Sequence, residues 1–210
     1  MFREGYVEAD GVRLRYMEAG QGVPLVHLHG AEGFRLTPAH DLLARRFRVI
    51  AFETPGFAES RSTREAASIL AQAIKNFGLD SFNLMGTALG GTTALWLAIQ
   101  EPERVLALVL EAPMAIRPEG PEPRDTDLES RLADLATPTL ALFGTADCVI
   151  PPETGSIYPK LMPNGRLVFV YDAAHAISAD RPEAFAEVVI DFLERHEAFI
   201  ISRTATVIHP

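Results

Sequence analysis

The sequence predicts an α/β domain built on a mostly parallel central sheet, with helices on both faces and a β-hairpin at its N-terminus. Short apolar runs recur along the chain with little alternation between apolar and polar residues, a pattern typical of strands buried on both faces of a parallel sheet. Stretches that suit helices separate several of these runs. The length of 210 residues suits one domain with a sizeable core, so we assign residues 1–210 to a single domain.

The first element is the hairpin. The segment "YVEA" leads into Asp10-Gly11, a pair that favours a two-residue turn, and "VRLRYME" follows with alternating apolar and polar residues. Buried strands are then predicted at "PLVHLH", "RVIAF", "FNLMG", "VLALVL", "TLALFG" and "RLVFVY".

Helices are predicted between these strands at Thr63–Phe77, Leu89–Gln100 and Pro182–Arg195. Ser62 and Glu65 have the spacing of a capping box at the start of the first helix. In sheets of this kind the ligand site lies beyond the carboxyl ends of the strands. The residues that follow each strand are therefore the candidates for chemistry.

Two segments depart from the alternation of strands and helices. Residues 115–137 begin with a stretch rich in proline and glutamate that we expect to be a surface loop, and only Asp127–Leu135 has a helical pattern. Residues 197–210 form a C-terminal tail with the β-prone pieces "FII" and "TVI". The tail could add a strand to a sheet edge or contact a partner, although we expect it to pack on its own domain.

Composition excludes several functions. The formal net charge is −9, which argues against nucleic acid and against an anionic membrane surface as partners. The single cysteine, Cys148, cannot form an internal disulfide, which indicates a reducing compartment. The N-terminus has no apolar core of signal-peptide length and the chain has no long apolar run, so we expect a cytoplasmic protein. A homo-oligomer is compatible with the sequence.

The stretch "NLMGTALGG", Asn83–Gly91, has the pattern of a strand-to-helix turn that presents a catalytic residue. In the Gly-x-Ser-x-Gly motif of such turns, the glycines permit a strained backbone and the central side chain projects at a helix N-terminus. Here the glycines are present, but Ala88 occupies the position of the serine.

Two further candidates follow later strands. Asp147 comes just after "TLALFG", and His175 follows "RLVFVY". Position 88, Asp147 and His175 therefore occur in the chain order Ser, Asp, His that accompanies this type of turn. A lone aspartate after a strand is often a turn former, and a lone histidine is often structural, but their joint placement at one sheet edge favours a catalytic group.

The loop after the first buried strand supplies another candidate feature. His29-Gly30 lets this loop approach a substrate closely, and the backbone N–H of Ala31 is a candidate oxyanion donor. The second candidate donor is the N–H of Leu89, directly after the turn position. We interpret the His29 side chain as an internal hydrogen-bonding group that holds the loop.

Together these motifs resemble the α/β-hydrolase superfamily over most of residues 5–195. A further similarity is "TPGFAES" at Thr54–Ser60, which resembles the family's Asp-x-Pro-Gly-x-Gly-x-Ser loop but departs from it at Glu53 and Ala58. The resemblance implies the α/β-hydrolase fold, with Asp147 orienting His175 and His175 acting as base toward position 88. It also implies that residues 115–137 are a reduced cap.

The sequence contains no cluster of metal ligands and no dinucleotide-binding fingerprint, so we expect no metal and no cofactor. The expected partner is a small-molecule substrate. Because little chain is available to cover position 88, we expect an open site.

Ala88 leaves three interpretations open. It is an engineered replacement in an ordinary serine hydrolase, or a natural alanine beside which His175 and Asp147 activate water, or a mark of a non-catalytic binding protein. Neither Thr87 nor Cys148 is expected to replace the serine, because Thr87 points elsewhere on the turn and nothing aims Cys148 at a substrate. We favour a hydrolase of a small ester, amide or related acyl compound, with a ligand-binding or interaction protein as the alternative.

Overall fold

The computed structural model describes residues 1–31, 33–55, 62–116, 125–196 and 206–208. Its strands form one sheet in the order β1-β2-β4-β3-β5-β6-β7-β8-β9. The strands are β1 Arg3–Ala9, β2 Val12–Ala19, β3 Pro24–Leu28, β4 Arg48–Phe52, β5 Phe82–Thr87, β6 Val105–Glu111, β7 Thr139–Gly144, β8 Gly165–Val170 and β9 Thr206–Ile208.

The predicted hairpin and parallel sheet are confirmed. β1 pairs with β2 and β2 with β4 in antiparallel fashion, while every other pairing in the sheet is parallel. The hairpin turn has Asp10 at φ 49° and Gly11 at φ 75°. Two consecutive left-handed residues are what a type I′ turn requires, which explains why this pair ends the first strand.

The helices cover both faces of the sheet and agree closely with the predicted ranges. The Ser62 hydroxyl accepts the N–H of Glu65 and the Glu65 carboxylate accepts the N–H of Ser62, so the capping box is present. The α-helices are α1 Pro38–Leu43, α2 Thr63–Asn76, α3 Leu89–Gln100, α4 Thr126–Arg131, α5 Tyr158–Leu161, α6 Ile177–Asp180 and α7 Pro182–Arg195.

Two hydrophobic cores flank the sheet. On one face, side chains of α2 and α3 such as Leu70 and Leu95 pack against Leu84 of β5. On the other face, Phe185 of α7 packs in a cluster with Val109 of β6. Burial on both faces explains why the central strands read as continuous apolar runs.

The described half of residues 115–137 packs beside α2 and α3. The predicted helical piece is observed as α4 followed by a 3-10 turn at Leu132–Asp134. Asp125 caps α4 by accepting the N–H of Leu128, and its carboxylate also accepts the indole N–H of Trp96. The proline-rich residues 117–124 lie outside the described part of the chain, as do residues 56–61 of the "TPGFAES" loop.

The tail adds an edge strand. Thr206–Ile208 pairs in parallel with β8, so the edge-strand alternative is the one observed there, and residues 197–205 lie outside the described ranges. Within those ranges, none of the helices has the length and apolar character needed to cross a membrane.

Candidate active site

Ala88 lies in a strained turn between β5 and α3. It is the N-cap of α3, with φ 50° and ψ −116°, a backbone conformation that residues other than glycine rarely adopt. Such a conformation costs about 1–3 kcal/mol and persists only where the surrounding structure enforces it. The backbone of the turn therefore has the strain expected of a turn that presents a catalytic residue, although the side chain at position 88 is a methyl group.

Close backbone contacts enforce this turn. A Cβ atom at Gly86 would lie 2.5 Å from the carbonyl oxygen of Gly90, and one at Gly90 would lie 2.2 Å from the carbonyl oxygen of Leu28 in β3. Real Cβ atoms do not approach so closely, so both positions need glycine. The two glycines let α3 begin directly against β3, which brings Ala88 to the carboxyl edge of the sheet.

Asp147 and His175 form the expected pair. Their loops follow the adjacent strands β7 and β8, and Nδ1 of His175 donates to Oδ2 of Asp147 over 2.9 Å. The other carboxylate oxygen, Oδ1, accepts the backbone N–H groups of Val149 at 2.7 Å and Ile150 at 2.9 Å. The Asp147 side chain is 0% exposed and that of His175 is 19% exposed. The carboxylate, held by two backbone N–H groups, thus orients the imidazole, and Nε2 has no hydrogen-bond partner in the part of the chain that the structure describes.

The His29 side chain holds the loop after β3, as expected. The N–H of Thr54 donates to Nε2 of His29 over 3.0 Å, so Nδ1 carries the proton and donates to the carbonyl of Gly30. Burial lowers the pKa of His29, which favours this neutral form. The loop therefore stays attached to the loop after β4, with Ala31 at the cavity.

A buried chain of hydrogen bonds runs under the turn, and its members were not anticipated from the sequence. The N–H of Thr37 donates to Nδ1 of His40, so the proton of neutral His40 is on Nε2 and is donated to Nδ1 of His27 over 2.9 Å. His27 then donates from Nε2 to the hydroxyl of Thr87 over 3.1 Å. The Thr87 hydroxyl donates in turn to Oε2 of Glu111 over 2.7 Å. Every proton in the chain has a defined position because the first donor is a backbone amide.

This chain accounts for Thr87. Its hydroxyl donates to Glu111 and accepts from His27, so both hydrogen bonds fix the hydroxyl within the buried chain of polar groups. Cys148 is exposed and does not belong to the cavity lining that the described residues form. That neither residue replaces a serine at position 88 stays a prediction.

Glu111 connects the turn to the His175 loop. It is the last residue of β6, and its Oε1 accepts the N–H of Ser178 over 2.7 Å while Oε2 accepts the Thr87 hydroxyl. Burial raises the pKa of Glu111, and burial lowers the pKa of His27 and that of His40, the latter to about 4. The sequence signal that could have revealed the buried chain of hydrogen bonds is Glu111, a glutamate at the end of an otherwise apolar strand.

The site residues surround one cavity of about 350 Å³. Its walls come from the loop after β3 with the start of α1, from Thr87 and Ala88, and from the loop after β8 with Ser178 and Ala179. Of the proposed oxyanion donors, Ala31 lines the cavity, whereas Leu89 is the first residue of α3 and its side chain does not line it in the described structure. The N–H of Leu89 is one of the first N–H groups of a helix, which have no acceptor within the helix. None of the described lining residues comes from residues 115–137.

Comparison with known proteins is consistent with this architecture. The sequence model of the alpha/beta hydrolase fold family matches residues 23–131, which include the turn and the loop after β3. The chain belongs to the alpha/beta hydrolase fold family.

Several relatives carry the names of hydrolases or esterases. The chain is 25% identical to a 2-hydroxy-6-oxo-6-(2'-aminophenyl)hexa-2,4-dienoic acid hydrolase of Metapseudomonas resinovorans, over 91% of each chain. It is 24% identical to a pimeloyl-[acyl-carrier protein] methyl ester esterase of Aeromonas hydrophila, over 83% of this chain and 96% of the relative. The first alignment spans 264 positions, more than the 210 residues of this chain, so that relative contains segments that this chain lacks.

Solved structures of the family show the same fold. Naproxen esterase from Bacillus subtilis superposes with a TM-score of 0.78 at 17% identity, over 92% of each chain. A meta-cleavage product hydrolase from Pseudomonas fluorescens, solved as a Ser-to-Ala mutant complexed with acetates, superposes with a TM-score of 0.76 at 17% identity, over 90% of this chain and 97% of that one.

Proposed function

We propose that this alpha/beta hydrolase fold protein hydrolyses a small ester, amide or related acyl compound, with His175 activating a water molecule beside Ala88. The observation that carries the proposal is the hydrogen bond between His175 and a buried, fully bonded Asp147, at the same cavity as the strained turn. A histidine whose tautomer is set by a carboxylate is suited to act as general base.

The reaction follows from this placement. His175 Nε2 accepts a proton from water while the water oxygen attacks the acyl carbon, and the resulting oxyanion is held by the N–H groups of Ala31 and Leu89. Collapse of the tetrahedral intermediate expels the alcohol or amine, which receives the proton from His175. The acid leaves, and the imidazole returns to its neutral state. Ala88 takes part only by leaving the space that a serine hydroxyl would fill.

The names of the relatives support this class of reaction. The two curated relatives described above are named as a hydrolase of a dienoic acid and as a methyl ester esterase. Without a covalent intermediate the rate enhancement rests on the base, the oxyanion donors and binding. We therefore expect the protein to hydrolyse substrates that have good leaving groups.

A kinetic experiment tests the proposal. We expect slow hydrolysis of p-nitrophenyl acetate without a burst, because no acyl-enzyme accumulates, and a loss of roughly a hundredfold in His175→Ala, in the range that a general base contributes. The matched control is His196→Ala, which replaces a histidine at the end of α7 that does not line the cavity. Equal activity in the parent and His175→Ala would reject His175 as the base.

The alternative function is ligand binding without turnover. One observation favours it. The cavity and the strained turn are present, but the side chain at the nucleophile position is a methyl group, which cannot attack a substrate. A parent that binds esters saturably but hydrolyses none of them, with no difference between it and His175→Ala, would place the binding function first.

A further inference from the structure

The cavity contains a single permanently charged side chain among its described lining residues, and that side chain is Arg35. Arg35 lies on the loop between β3 and α1 and is exposed to solvent at the cavity. The described lining includes no aspartate and no glutamate. The lining therefore carries a net positive charge, whereas the whole chain has a formal net charge of −9.

Three of the four histidines that line the cavity in the described structure do not change this balance at neutral pH. Burial lowers the pKa of His27, of His29 and of His40, so these three side chains are neutral. The nearest buried carboxylates, Asp147 and Glu111, lie behind the lining and are already occupied by hydrogen bonds. Arg35 therefore brings a positive charge to the cavity, and no carboxylate opposes it among the lining residues that the structure describes.

No ion pair engages the Arg35 guanidinium within the part of the chain that the structure describes. Other arginines of the sheet and helices do have carboxylate partners, such as Arg48 with Glu18 and Arg64 with Asp127. A guanidinium presents several N–H donors in a fork that matches a carboxylate. Arg35 thus offers this recognition geometry to a ligand.

A second source of positive potential lies in the same cavity. The 12-residue helix α3 begins at Leu89, and its N-cap Ala88 lines the cavity, so the positive end of the helix dipole is directed there. The start of α3 therefore favours negative charge at the turn, where the oxyanion of the proposed reaction forms, and Arg35 favours a carboxylate at the exposed rim. Its volume of about 350 Å³ is at the small end of ligand sites.

We propose that Arg35 binds a carboxylate of the substrate, so that the protein acts on small acyl compounds that carry a free carboxylate, such as half-esters of short dicarboxylic acids. This inference rests on the proposed function for the reaction, but the binding role of Arg35 stands without it. One end of the ligand pairs with the guanidinium while its ester group reaches Ala88 and His175. The ligand then spans the cavity from its exposed rim to the turn.

Binding measurements test the proposal without relying on turnover. Monomethyl succinate, glutarate and adipate are titrated by NMR into the His175→Ala protein, in parallel with the neutral dimethyl esters. We expect saturable binding of at least one half-ester, with at least about tenfold weaker binding of its diester. Binding of the half-ester should also weaken as salt is added.

Variants assign the effect to the guanidinium. Arg35→Gln should weaken half-ester binding by about tenfold and leave the diester within about threefold, and Arg35→Lys should retain part of the affinity because it keeps the charge. Arg45→Gln is the matched control, an exposed arginine after α1 that does not line the cavity. Equal effects of Arg35→Gln and Arg45→Gln, equal affinity for half-ester and diester, or no saturable half-ester binding would each overturn the proposal. If half-esters bind through Arg35 but the parent hydrolyses none of them, only the proposed reaction fails.

Discussion

Thr87 donates its hydroxyl proton to Oε2 of Glu111 over 2.7 Å, and this contact joins the strained turn to the neighbouring strand β6. The other carboxylate oxygen of Glu111 accepts the N–H of Ser178 in the loop region that carries His175. One buried carboxylate therefore sets the spacing between the turn at Ala88 and the base. The hydrogen-bond chain from Thr37 through His40 and His27 ends at the same carboxylate, so these side chains form a single connected unit.

Removal of the Thr87 hydroxyl should destabilise the fold. Thr87→Val keeps the shape but leaves Oε2 of Glu111 and Nε2 of His27 without their partner, which should lower the free energy of unfolding by about 1–3 kcal/mol. Urea denaturation at pH 7 measures the change. The control is Thr92→Val, because the buried Thr92 hydroxyl has no hydrogen-bond partner among the described residues and its loss should be neutral or stabilising. Equal losses in the two variants would contradict a structural role for the chain.

Stability should fall as the pH decreases from neutral, in part because of His40. Its pKa is lowered from 6.5 to about 4 in the folded protein, so between these values the unfolded chain binds a proton that the folded chain does not. Stability is therefore retained above pH 6.5 and lost as the pH falls through this window, by about 2 kcal/mol at pH 5 for His40 alone. His27 acts in the same direction, because its pKa is also lowered.

Glu111 acts in the opposite direction. Its pKa is raised above 4.5, so the folded state takes up this proton first and gains stability as the pH falls through the raised value.

The variant His40→Gln isolates the contribution of His40 to the pH dependence of stability, because glutamine does not titrate but can still accept from Thr37 and donate to His27. Denaturation curves at pH 7 and pH 5 should show a smaller loss in His40→Gln than in the parent. Equal losses would indicate that His40 is not the group that titrates.

A hydroxyl placed at position 88 should raise the esterase activity of the protein. In Ala88→Ser the turn already exposes the side chain, His175 can take its proton, and the N–H groups of Ala31 and Leu89 can hold the oxyanion. We expect a gain of at least about a hundredfold on p-nitrophenyl acetate, a small part of the deficit that loss of a catalytic serine usually produces. A burst of p-nitrophenol should appear, since an acyl-enzyme can now form.

The gain should depend on the base. Adding His175→Ala to Ala88→Ser should return the rate to that of His175→Ala alone, because the serine then has no proton acceptor. A folded Ala88→Ser protein with no gain would show that the site is not organised for acyl transfer.

Glycine at position 88 should stabilise the protein. At φ 50° and ψ −116° alanine is strained, and relief of that strain outweighs the extra backbone entropy that glycine loses on folding. We expect Ala88→Gly to raise the free energy of unfolding by up to about 1 kcal/mol. Ala94→Gly, in the interior of α3, should lower it by at least about 1 kcal/mol. A loss in Ala88→Gly as large as that in Ala94→Gly would mean that the turn carries no strain.

The elements with local signals were predictable from the sequence. The start of α3 follows from Gly86 near the end of β5 and Gly90 in the first turn of the helix, and α7 begins at Pro182, a residue suited to the first helical turn. The pair Asp147 and His175 could be anticipated because each follows a buried strand and parallel strands end at one edge. These signals lie within a few residues of the feature that they predict.

The buried polar chain could not be predicted in the same way. His27 and His40 are 13 residues apart, and Thr87 and Glu111 are 24 apart, so their contacts depend on the strand order and on how α1 packs. His27 of β3 and His29 of the loop after it serve different neighbours, since His27 contacts α1 and β5 while His29 contacts the loop after β4. Which strand lies beside which is a property of the whole sheet, and no short stretch of sequence encodes it.

The close contacts described above for Gly86 and Gly90 are with backbone carbonyl oxygens, and the side chain at position 88 takes no part in them. The scaffold would therefore present a hydroxymethyl or a thiol there in the same way as it presents a methyl. Any alanine codon becomes a serine codon by one base change. In evolutionary terms, a serine at position 88 lies a single mutational step away, so the absence of a nucleophile in the proposed site is a reversible state.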